Sequence, residues 1–92
     1  MNSNLDEFLG KQLIQKALNE KAFERGYDSA ISLATYALST NNNWADEAKA
    51  FVTWRDIMYE YYIDCFQKMK ESGNILSEEE FCKGMPAIIW PD

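Results

Sequence analysis

The chain has no histidine, so the commonest general base and the commonest nitrogen ligand for a metal ion are both missing. Glycine is scarce, and nothing resembles the Gly-rich loop that cradles a phosphate or the Gly-x-Ser-x-Gly elbow that exposes a nucleophilic serine. Cys65 and Cys82 do not have metal-site spacing. They are expected as free thiols packed in or near the core of a protein in a reducing compartment, rather than as a disulfide. No apolar run approaches the ~18 residues that a membrane-spanning helix needs. The start, Met1-Asn2-Ser3-Asn4, has neither the basic end nor the apolar stretch of a secretory signal, so the expected location is the cytoplasm. Positive charge is also short: nine Lys and Arg stand against fifteen Asp and Glu, for a net charge of −6. That balance repels phosphate backbones and anionic lipid, which disfavours nucleic acid and membrane as partners. Together these absences predict a protein that is not an enzyme and carries neither cofactor nor metal.

Apolar and aromatic residues are plentiful, at 47% and 14% of 92 residues. That is enough for one domain with a modest core, burying roughly 65% of the unfolded surface. The pattern is helical throughout, with no strand alternation and no internal repeat. A first helix is predicted over 5–23, where Leu5, Phe8, Leu9, Leu13, Ala17 and Leu18 recur at helical spacing. Asp6 and Glu7 suit its positive end, Gly10 weakens it slightly, and Gly26 is placed to stop it. A second helix is predicted over 29–39, rich in alanine, with Asp28 as its cap. Thr40-Asn41-Asn42-Asn43 reads as a loop, with Asn43 capping a long third helix over 44–71, about 40 Å at ~1.5 Å per residue. Ser72-Gly73-Asn74 ends it. A short fourth helix over 78–83 starts with a capping box, Ser77 to Glu80, with Leu76 placed to staple against Phe81. Pro86 and Pro91 then hold residues 85–92 as an extended apolar tail. The expected fold is an all-α small bundle of three main helices with this short fourth helix and tail.

The third helix carries the most information. At ~100° per residue, Trp44, Ala48, Phe51, Val52, Trp54, Met58, Tyr59, Tyr61, Tyr62, Ile63, Cys65, Phe66 and Met69 cover an arc of about 200°. A surface helix needs little more than ~100° of apolar face, so this one must be covered from more than one side. One source of cover is the chain's own first two helices and tail. The other is a second protein meeting the edge formed by Trp54, Ile57, Tyr61 and Cys65, since Trp and Tyr favour interfaces.

Arg55 falls near the middle of this arc. An unpaired buried guanidinium is too costly, so it must be paired, stacked or placed at an interface. Asp28, the terminal Asp92 or backbone carbonyls are available as partners, and Tyr59 or Trp90 as stacking surfaces. Otherwise Arg55 is a contact for another chain. Ile88, Ile89 and Trp90 divide the same way: they plug the helical core, or they are offered to a partner. Burying each is worth roughly 2 kcal/mol. The residues expected to bind a partner are therefore Trp54, Arg55, Ile57, Tyr59, Tyr61, Tyr62, Ile88, Ile89 and Trp90.

A stripe of carboxylates, Asp46, Asp56, Glu60, Asp64 and Glu71, lines the opposite sector with Lys49 and Lys68 among them. It reads as a solvated face, although Asp56 and Glu60 stand one turn apart, close enough for weak cation binding.

The run Trp54-Arg55-Asp56, then Tyr59, Tyr61 and Tyr62, Gly73, Glu80-Phe81, Pro86 and Trp90-Pro91, resembles small proteins encoded among the tail genes of tailed bacteriophages and prophages, and C-terminal segments of larger ones. Tyr36-Ala37 and the region from Trp44 to Ala48 fit the same pattern loosely. The resemblance covers about the last two-thirds of the chain and includes no catalytic motif. Its second aromatic is often Trp where this chain has Tyr59, and the first helix lies outside it. It implies a phage protein that acts by contact, as a tail-assembly chaperone or minor tail component. Two other functions fit the residues: an acidic inhibitor of a host enzyme, working through the carboxylate stripe, and a structural homo-oligomer built on the third helix.

Overall fold

The computed structural model describes residues 5–91. Two sequence-based expectations, the Met1-Asn2-Ser3-Asn4 start and an Arg55 partner at Asp92, lie outside these residues. Four α-helices follow in order: α1 (Glu7–Glu24), α2 (Ala30–Ala34), α3 (Asn42–Ser72) and α4 (Glu78–Lys83). No strand occurs among the described residues. The long α3 makes the molecule elongated, 48 × 25 × 19 Å.

α1 begins two residues later than its apolar pattern, because Asp6 is its cap rather than a first-turn residue. The Asp6 carboxylate accepts a 2.8 Å hydrogen bond from the Leu9 amide. The helix ends at Gly26, whose φ of +88° is open to glycine at little cost. There the amides of Gly26 and Tyr27 donate back to the carbonyls of Phe23 and Ala22. Ile14, Leu18 and Ala22 form its buried face.

The predicted second helix is shorter and changes character part-way. Ser29, not Asp28, is its cap, accepting from the Ser32 amide at 3.0 Å. Asn19 of α1 adds a second link by accepting from the Ala30 amide at 2.9 Å. After Ala34 the chain tightens into a 3-10 turn, Thr35–Leu38. The Thr35 hydroxyl donates to the Ser32 carbonyl at 2.6 Å, the local side-chain bond that makes Thr a weak continuer of helices.

α3 starts two residues earlier than expected. Of the three consecutive asparagines, Asn41 is the cap, accepting from the Trp44 amide at 3.1 Å. Gly73 closes α3 with φ +75° and an amide donating to the Met69 carbonyl at 2.9 Å. The capping box of α4 forms as the sequence predicts. Ser77 Oγ accepts from the Glu80 amide at 3.0 Å, and Glu80 Oε1 accepts from the Ser77 amide at 2.9 Å.

The core lies along one side of α3. Ala48, Phe51, Trp54, Met58, Phe66 and Met69 meet Ile14, Leu18 and Ala22 from α1, Leu33 from α2 and Phe81 from α4. Phe81 stacks on Tyr61 at 5.3 Å between centroids and meets Phe66 edge-on at 5.9 Å, so α4 seals the far end of the α1–α3 seam. Gly10 lets the two long helices close there. A Cβ on Gly10 would stand 2.6 Å from the Phe66 ring.

Candidate protein-binding surface

Most of the wide apolar arc of α3 is covered by the chain itself, through α1, α2 with its 3-10 turn, and α4 with the tail, while Trp44 and Ile63 stay exposed at 49% and 60%. The tail folds back as an extended strap. Met85, Ile88 and Trp90 pack against the core, while Ile89 points outward and is 87% exposed. Of the three apolar residues 88–90, two are therefore docked and one is not. An extended segment alternates its side chains, so the tail cannot bury all three.

Trp54 is not at a free edge. It is 5% exposed, and its indole N–H donates to the Pro86 carbonyl at 2.8 Å. Tyr61 and Tyr62 are likewise turned to internal use. The Tyr61 hydroxyl donates to the Phe81 carbonyl at 2.6 Å, and the Tyr62 hydroxyl donates to the Glu7 carbonyl at 2.8 Å. Burial, followed by the nearby Cys65, pushes the Tyr61 phenol well up, and burial followed by the Glu7 carboxylate raises Tyr62. Both phenols thus remain neutral donors at physiological pH. In each case the polar tip of an amphipathic aromatic found a carbonyl within its own chain.

Arg55 also differs from expectation. It bonds neither Asp28 nor Trp90. Its Nε and Nη2 donate to the neighbouring Asp56 Oδ1 at 3.2 and 3.1 Å, and its side chain stays 39% exposed. It borders an open groove of about 620 Å³ between α1 and α2, which leaves it partly in solvent. Gln15, Leu18 and Asn19 of α1 form one wall, and Ala30, Ile31, Ala34 and Thr35 the other. Arg55 and Tyr59 of α3 complete the lining. Ile31 is 81% exposed.

The arginine that stacks on Trp90 is Arg25, at 4.3 Å from the ring centroid. Arg25 also pairs with Glu47 at 3.0 Å, and Glu47 accepts from the Tyr27 hydroxyl at 2.9 Å. This cluster was missed in the sequence reading. Its one signal was an arginine at the C-terminal end of α1, close to an aromatic pair, Tyr27 and Tyr36, whose rings lie 5.5 Å apart.

On the other flank of α3, a shallower groove of about 280 Å³ gathers Trp54, Ile57 and Ile89, with Lys49, Ala50, Thr53 and Ala87 around them. Three of the residues expected to bind a partner thus come together here, two from the α3 edge and one from the tail, with Ile57 and Ile89 outside. The acidic stripe is solvated as expected: Asp46, Asp56, Glu60, Asp64 and Glu71 are all exposed, and Lys68 pairs with Asp64 at 2.9 Å.

Among the described residues, no group of three or more His, Cys, Asp or Glu side chains is placed to hold a metal ion, and no helix is long and apolar enough to cross a membrane. Both cysteines are free. Cys65 packs against the core, but Cys82 is exposed, because it follows the buried Phe81 on the solvent side of α4. Partial burial of its sulfur, then the Glu78 carboxylate, raises the Cys82 thiol, which keeps it protonated and a poor nucleophile. No known protein family, curated protein or solved structure matches this chain.

Proposed function

We propose that the protein is a non-catalytic binding module that captures another protein chain on the faces flanking α3. The observation that carries this reading is the groove over Arg55, where a permanent cation sits between aliphatic walls and stays open to solvent. Ile31, Ile57 and Ile89, exposed at 81%, 44% and 87%, extend the apolar surface on both flanks. The resemblance over about the last two-thirds of the chain supports a setting in tailed-phage assembly, as a tail-assembly chaperone or minor tail component in the cytoplasm of the producing cell.

Purification of the tagged full chain from phage-producing cells tests this. Tail structural proteins are expected to co-purify, and to be lost with Ile31→Asp. Recovery of host proteins alone counts against the tail reading. It would favour inhibition of a host enzyme, for which the exposed stripe Asp46, Asp56, Glu60, Asp64 and Glu71 is the supporting observation. That mechanism requires affinity to fall as salt rises. Light scattering on the purified chain separates both from self-association: a concentrated solution that remains monomeric rejects a homo-oligomer.

A further inference from the structure

The chemistry of the Arg55 groove restricts what can fill it. Its walls are aliphatic, from Leu18, Ala30, Ile31 and Ala34. Among its polar groups, Arg55 and Asn19 have donors to spare, while Gln15, Tyr59 and Thr35 can also accept. Arg55 uses Nε and Nη2 on Asp56, which leaves Nη1 without an acceptor among the described residues. Asn19 spends its side-chain oxygen on the Ala30 amide, so the NH2 group is what it has left to offer. Among the described residues, the one carboxylate bonded to Arg55 is that of Asp56, which lies outside the groove lining, and no other acidic side chain borders the groove. A cation and spare donors between apolar walls complement a carboxylate carried on an otherwise apolar surface.

The groove also restricts the backbone of its occupant. It is bounded by helices, whose backbone groups are already bonded internally. An extended peptide laid there would bury its own N–H and C=O groups without partners, whereas a helical segment satisfies them itself. A second copy of this chain is a poor occupant, since both copies carry a net charge of −6.

We propose that the groove receives an amphipathic helical segment of another protein, with aliphatic side chains against Ile31, Ala34 and Leu18 and an Asp or Glu carboxylate on Arg55. This rests on the protein-binding reading above and adds the chemistry of the partner.

The test uses the full chain and a displayed library of helical peptides randomised along one face. Enriched peptides are synthesised and titrated by fluorescence polarisation against the parent chain and against Arg55→Gln, Ile31→Asp and Ile57→Asp, each checked for helical content. The enriched peptides are expected to share an acidic residue among aliphatic residues at helical spacing. Their affinity is expected to fall about tenfold or more with Arg55→Gln and Ile31→Asp, and to hold with Ile57→Asp. Replacing the peptide carboxylate by its amide should cost the same factor on the parent chain and nothing further on Arg55→Gln. Peptides without an acidic residue, or indifferent to Arg55, overturn the proposal. Peptides sensitive to Ile57→Asp instead overturn it while leaving the protein-binding reading standing. If no peptide is enriched, the proposal also fails, and co-purification of the full chain decides the broader reading independently.

Discussion

Trp54 and Pro86, 32 positions apart, are joined by a 2.8 Å hydrogen bond from the indole nitrogen to the proline carbonyl. The bond fixes where the tail crosses α3, and Trp54 is itself core, 5% exposed with its ring 5.7 Å from that of Phe51. Trp54→Phe keeps most of the packing and removes the donor, so urea unfolding should show a loss of about 1 kcal/mol. Trp54→Ala removes the packing as well and should cost about 3–5 kcal/mol. Equal losses in the two variants would show that the indole contributes through its hydrogen bond alone.

The far end of the tail is held by Arg25, stacked on Trp90 at 4.3 Å and paired with Glu47. Both the Arg25 and Glu47 side chains remain partly in water, at 37% and 21% exposure, so each contact is modest. A double-mutant cycle on Arg25→Ala and Trp90→Ala should give a coupling of about 0.5–1 kcal/mol. Raising salt should weaken the Arg25–Glu47 pair more than the burial of Ile88. Additive single-variant losses would show that the stack is incidental.

These two contacts mark the boundary of what the sequence discloses. Local signals were legible: the Ser77–Glu80 box, the stops at Gly26 and Gly73 and the apolar face of α3 all follow from nearest-neighbour chemistry. What covers that face was not legible, because no local pattern in an extended, proline-bounded tail fixes the flank on which it lies. Helical spacing placed Arg55 amid apolar neighbours, yet its exposure depends on how α1 and α2 are set over α3, and no local pattern encodes that placement. The same gap hid the partner of Trp90, since an extended tail reaches either of the chain's two arginines and only the packed register selects Arg25. Trp54, Ile57 and Ile89 did meet at one groove, but with the indole turned inward to the tail.

Gly10 illustrates a residue whose role emerges only in three dimensions. Helix propensity alone says that Gly10→Ala should stabilise α1 by up to about 1 kcal/mol. The added Cβ would instead stand 2.6 and 2.8 Å from two atoms of the Phe66 ring, and Phe66 is 8% exposed among Gly10, Tyr62 and Phe81 with little room to retreat. Overpacking of this kind typically costs about 1–3 kcal/mol. Thermal unfolding is therefore expected to show net destabilisation by Gly10→Ala, relieved in Gly10→Ala/Phe66→Leu relative to Phe66→Leu alone. A plain stabilisation in the single variant would mean that the α1–α3 seam adjusts freely.

Alkaline pH tests the internal hydrogen bonds of the tyrosines. Burial, reinforced by the hydrogen bond to Glu47, raises Tyr27 from its usual value near 10 to about 12, and burial raises Tyr61 as well. A phenol whose folded pKa lies above its unfolded value favours the fold while both states are protonated. That contribution is complete below the unfolded value and is lost as pH rises through the folded one. Stability should therefore be flat through neutral pH and decline between about 10 and 12, where the unfolded chain releases protons that the folded chain still holds. Tyr27→Phe is expected to be less stable at neutral pH, having lost its bond to Glu47, but to show a shallower alkaline decline. Melting temperatures measured across this range for the parent chain and Tyr27→Phe decide the matter: parallel curves would mean that Tyr27 titrates alike in both states and that its contact with Glu47 does not hold the fold.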